Sequence, residues 1–195
     1  MLNTDFIITL AWPNGMIYSP GGVYDKLLGS SKRYKIGHTA FALIDSNSNR
    51  IFYFDFGRYH TPSGQGRVRD HETDPNLCIK ILADINDNSI RNINAIISEI
   101  NQNVKQEGPL YYKVINHTNF KNCYNYSKFI QNYGLIKFGV FTNSTLNCGR
   151  FLYNVIKKAN LKEIVLFKTI INDIFLRIPL LKYFSIKLYF EQKYF

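Results

Sequence analysis

Cysteine is scarce: Cys78, Cys123 and Cys148 are the only three in 195 residues. Three cannot all pair, no Cys-x-x-Cys occurs, and the spacing fits no zinc ribbon or finger. That excludes a disulfide framework and a cysteine-built metal site, and it points to a reducing compartment. No metal or cofactor is expected. Nowhere do 18 apolar residues run unbroken, so the sequence predicts no membrane-spanning helix. The segment Met1-Leu2-Asn3-Thr4-Asp5 lacks the basic start of a secretory leader, and Phe6 to Leu10 is too short for its apolar centre. The expected location is therefore the cytoplasm, or outside the cell by a route that needs no signal peptide. Runs of Lys or Arg are missing too, as are helix-turn-helix and zinc-finger signatures, so no specific nucleic-acid binding is expected.

What is present is apolar and basic. Apolar residues make up 46% of the chain, with 15 Phe and 14 Tyr, and the net charge is +10. A chain of this length and composition folds as a globular domain with a core that needs no staples. Its charge favours an anionic partner: phosphate, an acidic polymer or a membrane surface.

The most informative stretch is Asn147-Cys148-Gly149-Arg150-Phe151. Cys148, Phe151, Leu152, Val155, Ile156 and Ala159 fall at i, i+3, i+4, i+7, i+8 and i+11, one face of an α-helix. The preceding polar run offers Asn143, Ser144 and Thr145 as N-caps. Cys148 then sits in the first helical turn, facing inward. Unpaired N–H groups and the positive helix end there stabilise a thiolate and lower its pKa from about 8.5. The competing reading is a small buried hydrophobe, the usual role of a free cysteine.

Phe6 to Trp12, stopped by Pro13, reads as a buried strand. Val23 to Leu28 reads as a short helix. Gly37 to Ile44 and Ile51 to Gly57, joined by a polar turn, read as a β-hairpin. With Ile44 opposite Ile51, His38, Ala40, Ala42 and Ile44 share a face with Ile51, Tyr53, Asp55 and Gly57. His38 and Asp55 then meet at the open end. The small Ala40 and Ala42 leave room over that face for the helix carrying Cys148.

Residues 58–71 read as a long loop with two glycines and with Arg58, Arg67 and Arg69. It is either a recognition loop whose arginines fork toward carboxylate or phosphate, or a connector whose arginines pair with Asp70, Glu72 and Asp74. Leu77 to Leu82 is expected as a strand, with Cys78 as a core residue. Asn88 to Val104 is expected as an amphipathic helix through Ile93, Ile96, Ile97 and Ile100. Further on come a strand at Leu110 to Ile115, a helix at Asn119 to Tyr133 closed by Gly134, and a strand at Leu135 to Phe141. Cys123, a turn inside its helix, is read as structural.

Residues 1–160 form the domain in this reading, and 161–195 an apolar, basic C-terminal arm. The arm packs on the domain or on a second subunit, or lies on a membrane surface through residues 180–195, where lysine alternates with aromatics. The sequence does not give the oligomeric state.

A thiolate at a helix start facing a histidine on a strand is the working geometry of cysteine hydrolases. Asp55 is the best-placed residue to orient His38; Tyr53 and His60 are the alternatives. The Cys148 N–H, with Asn147 as a contributor, would form an oxyanion hole. Tyr53, Arg58, Arg67, Arg69 and Asn147 are the candidate substrate-binding residues.

Histidine early on a hairpin strand, followed much later by Asn-Cys-x-x-Phe at a helix start, resembles the circularly permuted NlpC-like branch of the papain superfamily. The lecithin:retinol acyltransferase group belongs to that branch. The resemblance covers residues 37–57 and 147–156. It implies an α+β fold, an antiparallel sheet with packed helices in permuted papain-like order, and an acyl-enzyme reaction on cell-wall peptides or lipid acyl groups. Asp55 departs from the His, Glu or Gln often found third in that branch. The segments Phe6–Pro13, Gly37–Ala40, Asp55–Tyr59, Gly66–Arg69 and Asn147–Phe151 are also similar to an uncharacterised Bacteroidetes family, which brings no activity with it. The sequence thus predicts a thiol hydrolase or acyltransferase acting on an amide or ester, with an anionic or acyl-containing substrate. The alternative is a non-catalytic module that holds an anionic ligand in the 58–69 arginine loop.

Overall fold

A computed structural model describes residues 5–14, 16–18, 33–35, 37–139, 144–159 and 192–194. Strands are β1 (Asp5–Trp12), β2 (Met16–Tyr18), β3 (Arg33–Lys35), β4 (His38–Ile44), β5 (Ile51–Gly57), β6 (Gln65–Arg69), β7 (Ile85–Asn86) and β8 (Ser89–Ile90). Helix α1 (Ile93–Val104) precedes β9 (Leu110–Thr118), then α2 (Phe120–Asn132), β10 (Ile136–Lys137), α3 (Cys148–Lys158) and β11 (Gln192–Tyr194). The main sheet runs β10-β6-β5-β4-β1-β9-β11, with every neighbouring pair antiparallel. The fold is α+β, as the sequence pattern predicted.

The two faces of this sheet carry different layers, and alternation along the strands decides which residue meets which. On one face Phe41, Leu43, Phe54, Phe56 and Val68 join Phe151, Leu152, Val155 and Ile156 of α3 and Cys123 of α2 in one buried cluster. On the other, Trp12, Ala40, Ala42 and Tyr53 join Ile96, Ile97 and Ile100 of α1. Burying each large apolar side chain contributes roughly 1.5–3 kcal/mol. Both layers are thus held firmly, and β4 and β5 are sealed between them.

This arrangement corrects one expectation. The Cys148 helix does not cover Ala40 and Ala42; α1 does, and Ala40 and Ala42 are grouped there with Tyr53 and Trp12. Helix α3 packs on the opposite face, where Phe151 meets Phe41 and Phe56 at ring distances of 5.4 and 6.3 Å. The hairpin register is as predicted, with Ile44 opposite Ile51 and Ala40 opposite Asp55.

Other differences have local causes. Residues 78–82 are not a strand, because α1 side chains take their peptide groups. Glu99 accepts from the Lys80 and Ile81 N–H groups at 2.8 and 3.0 Å, and Asn103 donates to the Cys78 carbonyl at 3.0 Å. The helix expected from Asn88 starts only at Ile93, since Ser89 and Ile90 pair back on Ile85 and Asn86. The supposed loop 58–71 contains β6, a full member of the sheet. Within the described part of the strand expected over Leu135 to Phe141, residues 135–139, pairing is confined to Ile136–Lys137 and a single bridge from Phe138 to Leu146. Helix α2 ends as expected, with Gly134 left-handed at φ +72. The expected helix at Val23 to Leu28 lies outside the described residues. So does the C-terminal arm, apart from β11, which adds to the β9 edge. Among the described residues no helix is long and apolar enough to cross a membrane.

Candidate active site

Cys148 is the first residue of α3, and the cap that starts the helix is Asn147. Its Oδ1 accepts from the Arg150 N–H at 2.9 Å, and its Nδ2 donates to the Gly139 carbonyl at 3.1 Å. Ser144 and Thr145, expected as caps, are displaced from that role; Thr145 instead takes the Arg150 guanidinium on its carbonyl at 2.9 Å. Asn143 lies outside the described residues. The cap explains why the helix begins at the cysteine: an asparagine with extended backbone satisfies one of the first-turn N–H groups that would otherwise lack an acceptor.

His38 is the first residue of β4. Its Nε2 lies 3.1 Å from Asp55 Oδ2, and the Tyr59 hydroxyl lies 3.3 Å from the same nitrogen. With Nε2 occupied, Nδ1 is the nitrogen left for the Cys148 thiol. The Trp12 ring stacks against the imidazole at 5.8 Å and is itself held by Asn101, to which its Nε1 donates at 3.0 Å. His38 and Cys148 come from opposite layers and meet because each begins its element at the same end of the sheet.

Asp55 is engaged at both carboxylate oxygens. Its Oδ2 accepts from His38, from the Tyr53 hydroxyl at 3.0 Å, from the Tyr59 hydroxyl at 3.2 Å and from Arg69 Nη2 at 2.7 Å. Its Oδ1 accepts from Arg69 Nε at 3.0 Å. The carboxylate is wholly buried.

The electrostatics follow from these partners. Burial pushes the Asp55 carboxyl up, but the Arg69 guanidinium and the His38 bond reverse this and hold it well below the usual carboxylate range. Burial disfavours the His38 imidazolium, yet its bonds to Asp55 and Cys148 raise it to about 9. Burial likewise pushes the Cys148 thiol up, and His38, helped by Thr39, brings it below its ordinary value. Cys148 and His38 thus favour an imidazolium–thiolate pair. By contrast, burial pushes the Cys123 thiol up to about 12. Cys148 and His38 are 2% and 3% exposed, so the pair is nearly sealed from solvent.

The other predicted site residues fall elsewhere. Tyr53 points its hydroxyl at Asp55, not at His38. His60 is an exposed surface residue. Arg67 forks onto Asp74 at 2.7 and 2.9 Å and donates from Nε to the Tyr59 carbonyl, one of the pairings the connector reading expected. The Arg58 guanidinium lies over the Phe138 ring at 4.4 Å. Arg69 belongs to the Asp55 cluster. Among the described residues no group of three or more His, Cys, Asp or Glu is placed to hold a metal.

Sequence reasoning passed over Tyr59, Thr39 and Trp12. Tyr59 had a readable signal. A Cβ on Gly57 would stand 2.5 Å from the Tyr59 ring, so Asp-Phe-Gly-Arg-Tyr is a unit in which glycine lets the tyrosine fold back onto the aspartate four residues earlier.

Comparison with known proteins agrees with the fold. A solved structure, the type VI secretion system effector TseH, superposes with a TM-score of 0.60 at 19% identity, covering 83% of this chain and 80% of that one. The shared fold is papain-like, of the NlpC/P60 type. No curated protein sequence matches the chain. A family model described as type VI secretion system effector TseH-like matches residues 7–164. The chain belongs to the TseH-like family of type VI secretion system effectors.

Proposed function

We propose that the protein is a thiol hydrolase or acyltransferase that cleaves an amide or ester bond through a Cys148 acyl-enzyme. The observation that carries this reading is His38, held at Nε2 by Asp55 at 3.1 Å, with its other nitrogen left for a thiol at the start of α3. The Cys148 thiolate attacks the carbonyl carbon, and the oxyanion that forms takes the Cys148 N–H, which has no intrahelical acceptor at this position. Protonated His38 gives its proton to the leaving nitrogen or oxygen, and the carbon–heteroatom bond breaks. Neutral His38 then takes a proton from water, or from an acceptor hydroxyl or amine, which attacks the thioester and frees the thiolate. Asp55 keeps the ring oriented and its Nε2 protonated throughout. Asn147 serves as helix cap, since both ends of its amide are engaged.

Cell-wall peptides and lipid acyl groups are the two substrate classes this chemistry fits. A type VI route would bring the protein to either one. The alternative, a binding module using the arginine loop, has less support. Arg67 and Arg69 are already neutralised by Asp74 and Asp55, and an anionic ligand would have to displace those carboxylates.

The test is site-resolved alkylation by iodoacetamide across pH 5 to about 9, on wild type and His38→Ala. Cys148 should react well below the pH of an ordinary thiol and slow strongly in the variant, with Cys123 silent. Labelling of Cys148 only near pH 8.5 or above, the same in both proteins, would sink the proposal. If the first result holds, release assays on muropeptides and on acyl-lipid vesicles, with Cys148→Ala as the blank, decide between the substrates.

A further inference from the structure

Strand β6 brings one residue to the site that the hydrolase chemistry above does not use. Arg69 stands directly opposite Asp55 across the β5–β6 ladder. Its guanidinium bridges both carboxylate oxygens, Nε to Oδ1 at 3.0 Å and Nη2 to Oδ2 at 2.7 Å, with the side chain 11% exposed. The Tyr59 ring lies over the guanidinium at 3.2 Å, and its hydroxyl returns to Asp55 and His38. Gly57 leaves the space that this stack needs. Asp55 is thus clamped at both oxygens by a planar fork that is itself covered.

We propose that Arg69 is a positioning residue for the Cys148–His38 pair: its two-point grip fixes the Asp55 carboxylate in the one orientation that presents Oδ2 to His38 Nε2 and so turns Nδ1 toward the thiol. This inference rests on the thiol chemistry proposed above. The physical argument is a comparison of states. A wholly buried carboxylate whose only cationic partner is the imidazolium would take up a proton readily as pH falls, because burial favours the neutral acid. Once neutral, it no longer stabilises the imidazolium, and the thiolate is lost with it. Arg69 keeps its charge at all working pH values, so it prevents this collapse. The titratable and charged groups facing Asp55 are His38 from β4, Tyr53 from β5, Tyr59 after it and Arg69 from β6, with Cys148 of α3 beyond His38. Helix α1, packed over the same face, brings Ile96, Ile97 and Ile100.

The experiment measures Cys148 alkylation rate against pH in wild type, Arg69→Met, Arg69→Lys and Asp74→Asn, with His38 followed by NMR titration in the same proteins. In Arg69→Met the acid midpoint of alkylation should move up by about one pH unit, a rate about tenfold lower on the acid limb. The His38 titration should shift with it. Arg69→Lys keeps the charge but cannot bridge two oxygens, so its midpoint should fall between. Asp74→Asn, which removes the carboxylate paired with Arg67 but leaves the Arg67 bond to the Tyr59 carbonyl in place, should leave the midpoint unmoved. An Arg69→Met protein that melts lower but keeps the wild-type midpoint and His38 titration would show a purely structural role and overturn the proposal. Should Arg69→Met fail to fold, Arg69→Lys decides on the same criterion. If wild type itself alkylates as an ordinary thiol and ignores His38→Ala, the hydrolase reading fails first, and this inference falls with it.

Discussion

Replacing Asp55 by asparagine keeps the shape of the side chain and removes its charge. In the native site Oδ2 accepts from four donors and Oδ1 from one. A carboxamide has one oxygen and one NH2 group. One flip sets that NH2 against His38, both tyrosines and Arg69 Nη2; the other sets it against Arg69 Nε. Either way Arg69, 11% exposed, keeps its charge without its counterion. Removing one partner of a buried ion pair costs about 3–5 kcal/mol. That is a large share of the 5–15 kcal/mol typical of a whole domain. At 2–4 °C per kcal/mol for a chain of this size, the melting temperature should fall by roughly 6–20 °C. The assay is thermal denaturation of Asp55→Asn, Arg69→Met and the double variant beside wild type. Removing both charges leaves neither one stranded, so the double variant should be much less destabilised than the two losses added. An Asp55→Asn protein that melts with wild type, or a double variant whose losses simply add, would refute the reasoning.

The His38 value of about 9 gives a pH dependence with a definite sign. A folded value above the unfolded 6.5 means the stabilisation is full below about pH 6.5 and lost as pH rises through about 9, so the stability gap between wild type and His38→Ala should narrow over that window in urea denaturation. A gap that stays constant with pH would contradict it. Asn147→Ala removes the cap on Arg150 N–H and the bond to Gly139; it should cost about 0.5–2 kcal/mol in denaturation and slow Cys148 alkylation, whereas Asn147→Asp keeps the cap acceptor and should recover most of the stability. Gly57→Ala would force the Tyr59 ring off a Cβ at 2.5 Å, costing about 1–3 kcal/mol, and should be close to neutral when measured in a Tyr59→Ala background.

Several features of the fold could be read directly from residue patterns. The 3.6-residue spacing from Cys148 to Ala159 placed α3 and its inward face, because an amphipathic helix reports its own orientation. Alternation in 38–44 and 51–57, with Ile44 set opposite Ile51 as the structure has it, put His38 and Asp55 on one face, whereas a one-residue slip would have parted them. Local pattern misled where a side chain claimed backbone groups that the pattern left out of account. The apolar run at 77–82 reads as a strand until Glu99 and Asn103 claim its peptide groups. Asn147 reads as an oxyanion donor until its amide is found closing the cap and reaching Gly139.

By itself, then, the sequence determined β1, the β4–β5 hairpin, α3 and, with Ile44 opposite Ile51, the His38–Asp55 pairing, since these arise from periodicity within short segments. Only the tertiary structure decided which layer each element joins. Small residues at 40 and 42 advertise room, but not for whom, and α1 takes that face while α3 takes the other. Tertiary structure also decided the role of Arg69. Nothing within residues 58–71 says that the third arginine sits opposite Asp55 and not in solvent; that follows from β6 joining the sheet in a register set by the neighbouring strand. A charge's meaning depends on what it is buried against, and that information is not local to the chain.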